Sequence, residues 1–156
     1  MYFGNEYNNL RLEYLIDTLD NELTIVIVLS KKVKPSPRSL ESEENEKLRQ
    51  ILSATSELIS NESQTYKIYF EHYLMYQGRD ESYAYNGDDE IKMGKGLILF
   101  EKSKLLDYVS EAIDVGVAMH MHGKTELQHY RIYTLNNVID VISFYEPTIE
   151  KVNRVK

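Results

Sequence analysis

The sequence contains no cysteine and no tryptophan, and only three of its 156 residues are proline. Without cysteine there is no disulfide framework, no cysteine nucleophile and no thiolate metal site. No apolar run approaches the roughly 20 residues that a membrane-spanning helix requires, and the first residues show no basic segment followed by an apolar core. We therefore expect a soluble, cytoplasmic protein.

Positive charge is also scarce. The 18 Lys and Arg residues stand against 25 Asp and Glu, which gives a formal net charge of −7. An acidic surface repels both nucleic acids and anionic membranes, so these two classes of partner are not expected. A basic protein is the partner that this charge favours.

Tyrosine is the residue type that stands out, with 13 copies. Tyrosine supplies large contact areas at protein interfaces, but it is also a good strand former, and both interpretations remain open. The length fits a single domain, residues 1–156, that needs no disulfide or metal to fold. We expect no cofactor.

The clearest structural signal is a hairpin over residues 129–145. Two runs rich in β-branched and aromatic residues flank Asn136-Asn137, a dipeptide that tolerates a tight turn. Neither face of the second run is clearly polar, which predicts an inner strand covered on both sides. Pro147 follows and has no N–H for a further ladder bond.

The first half of the chain predicts four elements. Residues 10–30 indicate a second hairpin with its turn at Asp20-Asn21, in which the first run alternates and the second is almost continuously apolar; residues 10–19 also fit a helix. A basic connector, residues 31–38, precedes a helix capped by Ser39 or Ser42, whose apolar stripe continues through Leu58 and Ile59. Residues 66–77 then alternate as one long strand.

The second half predicts a long loop, a strand, a helix and the closing hairpin. The loop covers residues 78–96 and the strand residues 97–101. Ser103 is placed to cap a helix that runs to about Asp114 and ends at Gly116. Residues 117–128 are expected to be irregular.

The predicted order is therefore β-β-α-β-β-α-β-β. Two helices packed on one largely antiparallel sheet of about six strands is the economical arrangement for this order. The fold class that we expect is α+β.

One stretch has the residue types of a metal site. His120, His122 and Glu126 follow the His-x-His-x3-Glu spacing of the first cupin metal motif, and imidazole with carboxylate suits Zn, Fe or Mn. The glycines around it are misplaced, however, and no histidine follows His129. An unliganded loop is the favoured interpretation of this stretch.

Asp140 is the most informative single polar residue, because it interrupts a run that is otherwise suited to burial. Either it is hydrogen-bonded to a neighbour such as His129, Arg131 or Tyr130, or it lines a cleft with His129. No Gly-x-Ser-x-Gly motif and no phosphate-binding loop is present, so no pattern fixes a reaction.

The second half of the chain contains several short sequence segments that resemble those of a known group of proteins. They are Glu81-Ser82-Tyr83, residues 102–108 (KSKLLDY), His129-Tyr130, residues 139–143 (IDVIS), Pro147 and Ile149. Over residues 78–149 the chain resembles a family of small uncharacterised cytoplasmic proteins of Bacillus-like bacteria. In general character it is similar to the immunity proteins of bacterial toxin systems.

These observations favour a non-enzymatic protein that binds a basic protein partner, as a toxin-neutralising immunity protein binds a toxin domain. A homodimer is a further form of partnership to test. The alternative is a small metal-dependent enzyme or ligand-binding domain with a cleft near His129 and Asp140. The expected partner surface consists of Tyr69, Tyr73, Tyr83, Tyr85, Asp88 and Asp89.

Overall fold

The computed structural model describes residues 9–33, 45–54, 57–84, 87–94 and 96–152. The elements in chain order are β1 (Asn9–Asp17), β2 (Leu23–Val33), α1 (Glu46–Ala54), β3 (Glu57–Phe70), β4 (Met75–Asp80), a 3-10 turn (Glu81–Tyr83), β5 (Ile91–Met93), β6 (Leu97–Lys102), α2 (Lys104–Ala112), α3 (Val115–His122), β7 (Gln128–Tyr133), β8 (Asn137–Ser143) and β9 (Thr148–Val152).

The strands of the described residues form two antiparallel sheets. The first has the order β1-β2-β3-β9 and the second the order β4-β8-β7-β6-β5. The expected α+β class with antiparallel pairing is confirmed. The expectation of one sheet with about six strands is wrong, because nine strands divide between two sheets.

The two sheets share one hydrophobic core. Phe70 of β3 packs edge-on against Tyr130 of β7, with 5.5 Å between the ring centroids. The side chains of the shared cluster include Leu23, Ile25, Ile27, Ile68 and Phe70 from the first sheet, and Leu97, Tyr130, Ile132, Ile139 and Val141 from the second. Burial of this apolar surface holds the sheets together.

The predicted strand over residues 66–77 is in fact two strands. β3 ends at Phe70 in the first sheet, and β4 begins at Met75 in the second. The intervening turn bonds to both sheets, since the amide of Tyr73 donates to Asn21 O at 3.1 Å and that of Leu74 to Ile142 O at 2.8 Å. The alternating sequence pattern continues through this turn, so the pattern does not show where one strand ends and the next begins.

The first hairpin is confirmed, and the helical alternative for residues 10–19 is wrong. Asn21 adopts a left-handed conformation with φ 58° in the β1–β2 turn, as the Asp20-Asn21 dipeptide predicts. α1 begins after Asn45, whose side chain accepts from the amides of Lys47 and Leu48. It ends at Ala54, so residues 58 and 59 belong to β3, and the predicted caps at residues 39 and 42 lie outside the described residues.

Ser103 caps α2 as predicted, but Gly116 does not end a helix. It lies inside α3, whose N-cap is Asp114, and the expectation of irregular structure over residues 117–128 is wrong for its first half. α2 packs on β7 through its buried side, which contains Val109.

The closing hairpin is confirmed, with its turn displaced by one residue. Leu135 and Asn136 form the two-residue loop, and the amide of Thr134 donates to Asn137 O at 2.8 Å. β8 lies between β4 and β7, and its residues from Val138 onward are buried, as expected for an inner strand. β9, which pairs with β3 after Pro147, was not predicted.

Candidate functional site

A buried polar cluster lies on the face of the second sheet that points away from the shared core. Tyr130 and Ile132 of β7 face the core, so His129 and Arg131 point to the opposite side. Asp140 of β8 pairs directly with Arg131 in the ladder. His129 and Asp140 have no solvent exposure and Arg131 is 2% exposed.

Four side chains surround the carboxylate of Asp140. Its Oδ1 accepts from His129 Nε2 at 2.9 Å and from Arg131 Nε at 2.5 Å. Its Oδ2 accepts from Gln77 Nε2 at 3.1 Å, and Arg79 Nη2 lies 3.1 Å away as an ion pair. Both oxygens of the buried acid are therefore satisfied, as a carboxylate without water requires.

The charges in this cluster balance. Besides contacting Asp140, the guanidinium of Arg131 lies 3.7 Å from Glu90 Oε2, and its Cζ lies 4.6 Å from the centre of the Phe100 ring. Two arginines thus face two carboxylates, because Arg79 pairs with Asp140 as well. Each of these ions has an opposite charge beside it, which lowers the cost of burial, but Arg79 Nη2 and Glu90 Oε2 contact that charge without a hydrogen bond.

His129 connects this ion network to the start of α2. Its Nδ1 lies 2.7 Å from Ser103 Oγ, and this oxygen accepts from the amide of Leu106 as the N-cap of α2. A neutral imidazole with its proton on Nε2 satisfies every group: Nε2–H donates to Asp140 and the Ser103 hydroxyl donates to Nδ1. The ring stacks on Phe100 at 4.4 Å.

The carboxyl pKa of Asp140 reflects these contacts. Burial alone raises the pKa, but the hydrogen bonds from His129 and Arg131 and the positive charge of Arg131 outweigh it, and the pKa falls from 3.8 to about 2. Asp140 is therefore ionised in the folded protein at neutral pH.

This shift predicts acid sensitivity. Because the folded-state pKa lies below the unfolded value of 3.8, the ionised carboxylate stabilises the fold fully above about pH 4, and this contribution is lost as pH falls towards 2. A shift of this size corresponds to roughly 2 kcal/mol. Urea unfolding at a series of pH values should show the free energy of unfolding decreasing across this window. A value that stays constant from pH 4 to 2 would contradict the assigned contacts.

Ser103, His129 and Asp140 stand in the order of a hydrolytic triad, but the arrangement is closed. A nucleophile must reach a substrate, and Ser103 is only 2% exposed. Its oxygen is also engaged in capping α2. In this structure the three residues connect β7 and β8 to the start of α2.

The proposed metal ligands are not brought together. His120 and His122 lie two positions apart on α3, which places them about 200° apart around the helix. His122 instead contacts Tyr145, and Glu126 is exposed beyond the helix. Within the described ranges, no three His, Asp or Glu side chains could hold a metal ion.

The residues of the expected partner surface lie on several different elements. Tyr69 lies on β3, and Tyr73 lies in the β3–β4 turn, where it donates to Asp17 Oδ1 at 2.7 Å; burial and this bond raise the pKa of Tyr73 to about 12. Tyr83 is 85% exposed in the 3-10 turn. The remaining predicted residues are Asp88 and Asp89, which are exposed before β5, and Tyr85, which lies outside the described residues.

A different exposed surface was missed by the sequence analysis. α3 carries no Asp, Glu, Lys or Arg, yet none of its residues is buried. Its outward side, which we call the α3 face, consists of Gly116, Val117, His120 and Met121. Val117 is 54% and Met121 78% exposed. The uncharged sequence VGVAMHMH was the available signal, but Gly116 was interpreted as a helix end.

Comparison of the chain with protein-family models, curated proteins and solved structures finds no match. Among the helices of the described ranges, none combines the length and the apolar character needed to cross a membrane. The function is therefore argued from the residues of this chain.

Proposed function

We propose that the protein is a non-enzymatic binding protein that holds a basic protein partner on the α3 face, in the manner of a toxin-neutralising immunity protein. The observation that carries the proposal is the exposure of α3. A helix without charged residues is normally buried, and here the side chains of Val117 and Met121 face solvent. Exposed apolar surface of this kind is typical of interaction sites.

The overall charge of the chain favours a basic partner. On the segment from α2 to just past the end of α3, the exposed acids Asp107, Glu111 and Asp114 stand against the exposed Lys104 and Lys124. With a formal net charge of −7, two copies of the chain repel each other, whereas a basic domain is attracted. Long-range attraction would speed association, and the apolar centre would supply the contact area.

Two residues of the α3 face also have side-chain properties that favour contact with a partner. Met121 has a flexible and polarisable side chain that adapts to a partner surface. Gly116 has no left-handed backbone conformation that would require glycine, and it weakens the helix. The missing side chain instead allows a partner to approach the helix backbone closely.

The alternative of a small enzyme or ligand-binding domain with a cleft near His129 and Asp140 has less support. Both side chains are fully buried, and their hydrogen-bonding groups are already paired with neighbours. Its metal-dependent form also requires His120 and His122, which lie on different sides of α3.

Site-specific crosslinking tests the proposal. A photo-reactive residue replacing Met121 should crosslink in native lysate to a basic protein, whereas the same residue replacing Leu19, which is fully exposed on the β1–β2 turn, should not. The identified partner, once purified, should bind the wild-type chain. The variant Val117→Ser/Met121→Ser should bind it at least about tenfold more weakly, because central apolar contacts carry most of the binding energy.

The matched control is Ile16→Ser/Leu19→Ser, which removes two apolar side chains that are also exposed. This control should bind like the wild type. Equal crosslinking from positions 121 and 19, or unchanged affinity in the α3 variant, would refute the α3 face as the binding site. Co-expression of this chain with the product of the adjacent gene would test the immunity role. If that product is a toxin, this role predicts that the chain restores growth of the cells.

A further inference from the structure

A cavity is lined by residues from both sheets. It has a volume of about 250 Å³ and lies between the β5–β6 hairpin of the second sheet and β9 of the first. Its lining residues include Met93, Gly94, Leu97, Leu99, Glu146 and Ile149. The cavity is separate from the buried polar cluster and involves no residue of the α3 face.

The walls of the cavity are mainly apolar, and several of their side chains pack in or against the shared core. Leu97 and Tyr130 belong to the shared core and are 7% and 4% exposed, and Ile149 packs against the same core. Gly94 turns the chain between β5 and β6 with φ 104°, and a side chain there would come within 2.6 Å of Leu97 O. The shape of this wall therefore depends on glycine.

Two polar groups, the carboxylate of Glu146 and the hydroxyl of Tyr130, belong to residues that line this mainly apolar cavity. Glu146, which is exposed, is the one charged side chain among the described residues that line it, and it forms no hydrogen bond or ion pair with the described part of the chain. The Tyr130 hydroxyl donates to Gln128 Oε1, so its oxygen remains an acceptor. Burial and the nearby negative charge of Glu146 both raise the pKa of Tyr130, so this hydroxyl stays protonated.

We infer that this cavity binds a small organic amine, with the apolar body against Leu97, Leu99 and Ile149 and the ammonium group against Glu146. A cation with N–H donors matches the unpaired carboxylate and the hydroxyl acceptor, whereas a carboxylate ligand would be repelled. The volume is below the usual range for drug-sized ligands, so one ring or a short alkyl chain is the matching size.

Three probes that differ mainly in the polar group test this inference: 2-phenylethylamine, the neutral 2-phenylethanol and the anion phenylacetate. Amide NMR shifts should show the amine binding at Met93, Leu97 and Ile149, with a dissociation constant on the order of 1 mM for so small a ligand. The alcohol should bind about tenfold more weakly and the anion more weakly still.

The variant Glu146→Gln separates charge recognition from apolar binding. It should weaken amine binding about tenfold and leave alcohol binding unchanged, because only the amine uses the charge. Glu71→Gln, an exposed carboxylate in the β3–β4 turn, is the control and should change neither. No amine binding up to about 10 mM, equal affinity of all three probes, or shifts outside the cavity would overturn the inference.

Discussion

Replacing Asp140 with asparagine is expected to destabilise the folded chain by about 3–5 kcal/mol. The substitution keeps the size of the side chain but removes the negative charge that faces Arg131 and Arg79. Asparagine also offers one acceptor oxygen where aspartate offers two, so its amide NH2 must face donors at one of the two positions. Urea unfolding monitored by circular dichroism measures the loss.

The matched control for this substitution is Asp89→Asn, which makes the same chemical change at an exposed position before β5. It should alter the free energy of unfolding by less than about 0.5 kcal/mol. A second readout is the acid profile, because Asp140→Asn should lack the wild-type stability loss between about pH 4 and 2. A loss below about 1 kcal/mol for Asp140→Asn would mean that the buried charges are not held as described.

The same network can be dissected by a double substitution. Arg79→Met removes the cation that pairs with Asp140 and leaves Arg131 beside Glu90, so the pair Asp140→Asn/Arg79→Met should recover part of the stability lost in Asp140→Asn. Recovery would show that the uncompensated charge, and not the altered shape of the site, causes most of the loss.

The local part of the fold was predictable because it depends on neighbouring residues. The Asp20-Asn21 turn and the Ser103 cap are short-range features that require particular side chains, and both were predicted. The division into two sheets depends instead on which strands meet across the core. The period of two is the same in β3 and β4, so it carries no information on the sheet to which each strand belongs.

In the candidate site, too, the contacts between strands adjacent in sequence were predictable and the non-local contacts were not. The interior position of β8 indicated that Asp140 needs partners, and His129 and Arg131 are close in sequence and lie on the adjacent strand. Gln77 and Arg79 reach the same carboxylate only because β4 pairs with the other side of β8, about 60 residues away in sequence. Such non-local pairing cannot be deduced from local patterns.

The pairing of the two sheets through one core predicts a large effect at Phe70. This side chain is 1% exposed and meets Tyr130 across the interface between the sheets. Phe70→Ala should destabilise the chain by about 3–5 kcal/mol, because it removes a buried ring and leaves a cavity that the flanking strands cannot fill. The free energy of unfolding from urea titration measures the effect.

Both sheets should lose protection together in this variant. Native-state hydrogen exchange should show faster exchange of the β2 and β7 amides by the same factor, since the core that they share is weakened. Tyr108→Ala, which truncates an aromatic ring that is 58% exposed on α2, is the control and should cost less than about 1 kcal/mol. Faster exchange confined to β2 would mean that the sheets unfold independently, and the shared core would then not be the structure that stabilises the second sheet.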